Sequence, residues 1–281
     1  MVGDVAVDVL VEPGAPAVRG ADVPARIRTH PGGAGANTAA WLAHLGADVV
    51  LVARVGDDDA GRSAAADLGA AGIRPALAVD GRCPTGTVVV LIEDGERTML
   101  SDRGAAGRLT PEDLPAFDDA DHVHVSGYVL LDASSRPAGL AALAAARAAG
   151  LTTSVDPQAA PALRAEFTDW VGGVDLLLPN ADELVALGGP DAVRDLVGAV
   201  AVTDGPRGAR WLAGGAEWSV AAPQVPAIDP TGAGDAFDAG LLVAWLAGAG
   251  PQESLRAGCA AGAQAVRHRG ARPPGGRVSP R

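Results

Sequence analysis

The residues best suited to chemistry lie in one short stretch, Asp229-Pro230-Thr231-Gly232-Ala233-Gly234-Asp235, which runs straight into an apolar segment with Leu241, Leu242, Ala244 and Trp245. Small residues let a backbone approach a ligand closely. The first turn of a helix leaves N–H groups free to point at an anion, along the positive end of the helix dipole. The loop therefore reads as an anion hole formed by the amides of Gly232, Ala233 and Gly234. A carboxylate repels phosphate, but it can take the proton of an alcohol that attacks a phosphate, and Asp235 is placed for that. An aspartate that only caps a helix after a glycine-rich turn has the same appearance in sequence.

A second glycine-rich stretch, Pro31-Gly32-Gly33-Ala34-Gly35-Ala36-Asn37, precedes Thr38-Ala39-Ala40-Trp41-Leu42. An asparagine amide both donates and accepts, which suits the hydroxyls of a polyol. A plain flexible turn before a helix fits the same residues, and the third glycine of a dinucleotide fingerprint is missing. Taken together, an early hydroxyl-binding loop, a late anion hole and Asp235 describe a site for phosphoryl transfer.

Around these loops the chain alternates strand-like and helix-like segments. A β-branched run over residues 1–11 predicts a strand that starts almost at Met1, and residues 12–30 suit a loop or a small extra sheet. Helices are expected over 35–45 and 60–71, each ending at a glycine in cap position, with a strand over 49–53 between them. Two β-rich runs, 87–92 and 97–101, flank Asp94-Gly95, a hairpin signal. Strands at 122–126, 152–156, 176–178 and 200–203 alternate with helices at 136–149 and 181–187, and two helices close the chain at 233–247 and 251–268. This rhythm predicts a parallel sheet covered on both faces by helices, with ligands bound outside the carboxyl ends of the strands.

The chain contains no lysine: all 22 residues counted as Lys or Arg are arginine. That excludes a P-loop kinase, a protein kinase and a pyridoxal phosphate enzyme, each of which needs a particular lysine. Net charge of −12 argues against a nucleic-acid partner or an anionic membrane surface. No apolar run approaches the roughly 20 residues that span a bilayer, so the expected location is the cytoplasm. Cys83 and Cys259 have no metal-ligand spacing.

On Pro31–Gly61, which includes Gly56-Asp57-Asp58-Asp59-Ala60-Gly61, and on residues 229–242, the chain resembles the ribokinase/PfkB family of carbohydrate kinases. The resemblance spans nearly the whole chain and implies a single ribokinase-like domain over residues 1–281, a three-layer α/β/α sheet with a small β lid at about 9–30 and 84–103. It implies transfer of a phosphoryl group from ATP, with Mg²⁺, to a hydroxymethyl group of a small sugar. Asp235 becomes the general base, and Asp8, Gly32, Gly33 and Asn37 hold the substrate. Asn180 and Glu183 match an N-x-x-E element that organises Mg²⁺ and water. Thr203, Gly205 and Gly208 fall in the loop that covers the nucleotide, and Asp229, with carbonyls near Gly270, matches the monovalent-cation site of members that respond to K⁺.

Departures from ribokinases themselves are Ala34, where they carry lysine, and Ala6, where they carry asparagine, so the sugar is left open. Arg97 and Arg103 in the lid could pair with an acidic substrate or simply support the hairpin. Exposed lid edges make a homodimer through the lid the expected assembly. Other readings are a nucleoside kinase for a pseudouridine- or adenosine-like acceptor, and a sugar- or nucleotide-sensing protein that has kept the fold without turnover. A GHMP-type kinase lacks support, since the serines that follow its glycines are absent.

Overall fold

The computed structural model describes residues 1–16, 18–93 and 96–274. The expected Asp94-Gly95 turn and most of the expected tail Pro273–Arg281 lie outside them. Along the chain the strands are β1 (Ala6–Pro13), β2 (Ala25–Gly32), β3 (Val50–Gly56), β4 (Arg74–Asp80), β5 (Gly86–Glu93), β6 (Glu96–Asp102), β7 (His122–Ser126), β8 (Thr152–Asp156), β9 (Leu176–Leu177), β10 (Ala199–Thr203), β11 (Ala209–Ala213) and β12 (Ala216–Val220). The helices are α1 (Ala34–His44), α2 (Asp59–Ala70), α3 (Gly127–Leu131), α4 (Arg136–Ala148), α5 (Phe167–Val171), α6 (Ala181–Ala186), α7 (Pro190–Val193), α8 (Ala233–Leu246) and α9 (Pro251–Ala265).

The main sheet runs β12-β11-β10-β9-β8-β7 and continues into β3-β4 through a single residue, Val2, which bridges Val125 and Val52 in parallel. The sheet is parallel from β4 to β10, and β11 and β12 add an antiparallel end. The expected first strand is thus divided. Val2 enters the main sheet, the Met1 amine donates to the Val50 carbonyl (3.0 Å), and Ala6–Pro13 departs into a different sheet. A period of two identifies a strand but cannot say which sheet receives it.

Successive side chains of the central strands serve different helical layers. Leu176 and Leu178 pack with Ala199, Ala201, α1, α8 and α9. Leu177, Val200 and Val202 pack with the other face, where Val125, Leu143 and Phe167 lie. That alternation is why the strands read as continuous apolar runs: a sheet buried on both faces has no polar side. The layers on either side are rich in alanine, which lets helices approach closely; α1 is buried along almost its whole length.

The second sheet, ordered β2-β1-β5-β6, is built from the two segments expected to form a lid. Its strands span 6–32 and 86–102, slightly wider at the first boundary than the sequence suggests. Register decides its faces. Asp8 pairs with His30 and Val88, and Val88 with Ser101, so Asp8, Met99 and Arg97 share one face. Ile27, Val11 and Leu91 share the opposite face with Val9, Val89 and Leu100. Below the lid, the buried Asp80 carboxylate is a structural hub that accepts from Arg54 Nε (3.0 Å), Arg108 Nε (3.0 Å) and the amides of Arg82 and Cys83 (2.8 and 3.0 Å). Those donors hold its carboxyl well below the usual range.

Candidate active site

The two glycine-rich loops meet at the carboxyl end of the main sheet. Gly232 caps α8 in the left-handed region (φ 76°), and a Cβ there would lie 2.4 Å from the Ala271 carbonyl oxygen. Only glycine satisfies both conditions. The helix that follows presents Ala233, Gly234 and Asp235 in its first turn. Ala233 N–H turns to the Pro230 carbonyl (3.2 Å), while the amides of Gly232 and Gly234 have no acceptor among the described residues. Of the three amides expected to form an anion hole, two are thus left free to donate, and Ala233 is the least available.

Asp235 is held by the other loop. Asn37 Nδ2 donates to its Oδ2 (3.2 Å) and Thr38 Oγ1 donates to its Oδ1 (3.4 Å). Burial lifts the Asp235 carboxyl to about 7, the Asn37 and Thr38 hydrogen bonds pull it back, and the charges of Asp4 and Asp8 push it up. A carboxyl poised near neutrality is suited to accept a proton. Gly33 caps α1 and accepts from the Asn37 amide (2.9 Å). Asp4, which sequence reading passed over, shapes this loop: its carboxylate accepts from Gly35 N (3.0 Å) and its carbonyl from Ala36 N (3.1 Å).

Asp8 stands on the Gly32 side of Asp235. Its Oδ1 lies 2.1 Å from where a Cβ on Gly32 would stand, so the glycine makes room for the carboxylate. Burial raises Asp8 to about 6, and the nearby Arg272 lowers it. Asp8, Gly32, Asn37 and Asp235 are thus brought together as the sequence suggested. Arg272 was not foreseen: nothing in its local sequence distinguishes it from the other arginines near the C-terminal end.

Next to the anion hole is a cavity of about 340 Å³ lined by Thr203, Gly205, Gly208, Ala233, Gly234 and Phe237, among others. The three residues expected in a nucleotide loop therefore face the same space as Ala233 and Gly234. Asn180 lies one bridge away, paired with Thr203, and caps α6. Its side chain accepts from Glu183 N (2.9 Å), while Glu183 accepts from Asn180 N (2.8 Å) and Nδ2 (2.7 Å). This is a capping box, and it fixes the Glu183 carboxylate.

Glu183 belongs to a buried acidic group. Asp156 at the end of β8 and Asp238 in α8 lie against one another, and burial, reinforced by the neighbouring acids, drives both carboxyls well up. Asp238 is 2% exposed and its Oδ2 has no partner among the described residues. Among those residues no three acidic, imidazole or thiol groups converge tightly enough to hold a metal alone. A hydrated divalent ion fits this setting, since such ions keep several waters and take only one or two carboxylates alongside phosphates. The orphaned Asp238 oxygen and the fixed Glu183 carboxylate are suited to its water shell.

A monovalent cation beside Asp229 does not fit. Asp229 Oδ1 accepts from Arg97 Nη2 (2.7 Å), Thr231 N (2.9 Å) and Thr231 Oγ1 (2.6 Å). Its Oδ2 accepts from Gly270 N (3.0 Å), an amide donor where carbonyl ligands were expected. Arg97 also donates to Thr231 Oγ1. The expected cation position is filled by a guanidinium from the lid, and these donors hold the Asp229 carboxyl at about 2 despite its burial. Arg97 thus supports the hairpin by tying β6 to the loop that opens α8. Arg103 pairs with Asp132 (3.4 Å) and lies over the Tyr128 ring, 5.4 Å from its centroid.

A profile of the pfkB family carbohydrate kinases matches residues 2–275. The chain is similar to the ATP-dependent ribose-1-phosphate kinase of Halopiger xanaduensis, with 34% identity covering 86% of this chain and 82% of that one. It is similar to the fructokinase of Klebsiella pneumoniae, with 35% identity covering 92% and 87%. Among solved structures it is similar to aminoimidazole riboside kinase from Salmonella enterica, complexed with aminoimidazole riboside and an ATP analogue. The TM-score there is 0.80 at 28% identity, covering 96% of this chain and 93% of that one.

Proposed function

Because the chain belongs to the pfkB family of carbohydrate kinases, ATP-dependent enzymes with a ribokinase-like fold, we propose that it phosphorylates a hydroxymethyl group of a small sugar or sugar-like acceptor with Asp235 as general base. The observation that carries this reading is the position of Asp235. It follows directly on the free Gly234 amide at the start of α8 and is fixed by Asn37 and Thr38 from the opposite loop.

The acceptor would lie between Asp8, the Gly32–Gly33 backbone and Asn37, with its hydroxyl against Asp235. Asp235 takes the hydroxyl proton as the oxygen attacks the terminal phosphorus, and the bond from that phosphorus to its bridging oxygen breaks to release ADP. The amides of Gly232 and Gly234 receive the charge that develops on the transferring group, aided by the dipole of α8. The nucleotide base and ribose would occupy the cavity beside Phe237, with Thr203, Gly205 and Gly208 along its wall. Mg²⁺, when bound, supplies charge neutralisation for the nucleotide phosphates; Glu183, through water, is the residue suited to hold it. Positioning and preorganised charge account for most of the rate in such a site.

The test is release of ADP from ATP and Mg²⁺ in the presence of D-fructose, D-ribose, ribose 1-phosphate and a panel of nucleosides. Acceptor-dependent ADP release is expected with at least one compound. Ligand-induced stabilisation without ADP release from any of them would instead identify a sensor.

A further inference from the structure

The segment Gly270–Arg272 touches both glycine-rich loops of the proposed site. Gly270 N–H donates to Asp229, the Ala271 carbonyl accepts from Trp41 Nε1 (2.9 Å), and the Ala271 backbone abuts Gly232. A backbone clamped at three places presents one side chain, Arg272, to the sugar loop. Arg272 Nε donates to Asn37 Oδ1 (3.3 Å) and Nη2 to the Gly32 carbonyl (3.1 Å).

These contacts settle which way the Asn37 amide faces. A guanidinium is only a donor and an ionised carboxylate only an acceptor. Asn37 stands between the two, so its oxygen must face Arg272 and its NH₂ must face Asp235. With Arg272 removed, the amide could turn its oxygen toward the Asp235 carboxylate, setting two acceptors against each other at the reacting centre.

Resting on the assignment of Asp235 as the base, we infer that Arg272 is a positioning residue for phosphoryl transfer: it fixes the Asn37 amide and the Gly32 backbone, and through Asn37 it holds the base in the orientation that receives the hydroxyl proton. Arg272 also faces Asp8 and Asp235 as a positive charge, and burial lowers its own pKa. The groups around Asp235 are otherwise acidic or neutral: Asp4 and Asp8 from the N-terminal segment, Asp156 from β8, Asp238 from α8, and Tyr128 from α3. This places a C-terminal residue inside the working machinery rather than in a tail.

The experiment is a double-mutant cycle on turnover, with Arg272→Met, Asn37→Ala and the pair, using whichever of D-fructose, D-ribose or ribose 1-phosphate the wild type phosphorylates. Arg272→Met is expected to lower kcat by about 10- to 100-fold with the Kd of ATP unchanged. In the Asn37→Ala background it should cost less than about threefold, because the route by which it reaches the base is already gone and only its bond to the Gly32 carbonyl remains. In Arg272→Ala, free guanidinium at a non-denaturing concentration should restore part of the lost kcat, which a purely structural lesion would not show. Equal losses in both backgrounds, or a loss confined to nucleotide binding, would overturn the inference. If none of the acceptors is turned over by wild type, the functional reading has failed separately. The same cycle read as urea-unfolding midpoints then decides the contact: additive shifts would refute it.

Discussion

At the residue scale the account turns on one carboxyl. Burial raises Asp235 to about 7, and a base must be ionised to work, so kcat/KM is expected to climb as pH rises through about 7 and to level off above it. A pH–rate profile that is flat from 5.5 to 8.5 would contradict this, and the same shift has a consequence for stability. A carboxyl whose folded pKa lies above its unfolded value near 3.8 contributes stability below that value and loses it as pH rises through about 7. Asp235→Asn, which keeps the volume and removes the charge, should therefore melt higher than wild type at pH 8. Asp235 and Asn37 could be picked out from sequence because each stands beside glycines at a helix start, where amides and short polar side chains have an obvious use. Arg272, Asp4 and Thr38 could not. Their roles arise from contacts across 31 to 240 positions of chain, and no local pattern records such contacts.

At the element scale, the helices and the central strands follow from pattern: cap glycines at Gly46 and Gly72, apolar runs buried on both faces, and proline opening α9. The lid was legible only as β-rich runs. What escaped was its attachment, since β1 could belong to either sheet on its pattern alone and only the pairing with β5 decides, and the small edge strands β4 and β12 carry weak signals because few of their side chains are buried. Arg97 gives the lid a definite function. Its ion pair with Asp229 spans from β6 to the start of the loop that opens α8, and both partners are largely shielded from water. Breaking a shielded pair leaves an uncompensated charge, at a cost of about 3 kcal/mol. Arg97→Met is expected to speed amide hydrogen exchange in β5 and β6 by a large factor while leaving α4 and β8 protected. Unchanged exchange in the lid would show that the tie does not hold it.

At the scale of the whole molecule, the fold brings a loop near residue 35 against a loop near residue 232, with the C-terminal segment wedged between them. The lid contributes one face to that site, carrying Asp8 and Arg97. It turns the other outward, where Ile27 and Leu100 are 62% and 60% exposed. An apolar lid face of this kind is consistent with a second copy covering it, the assembly suggested by the exposed β edges. Class and chemistry were readable because they depend on two local loops; the acceptor was not, because the pocket is assembled from the lid, α1 and the C-terminal segment together. The claim on which everything else depends is that one carboxylate in this meeting place takes the proton. Its most direct test is Asp235→Asn, measured for ATP binding by calorimetry and for acceptor-dependent ADP release. The variant is expected to bind ATP within about threefold of wild type and to turn over about 10²- to 10⁴-fold more slowly; turnover at the wild-type rate would show that another group takes the proton.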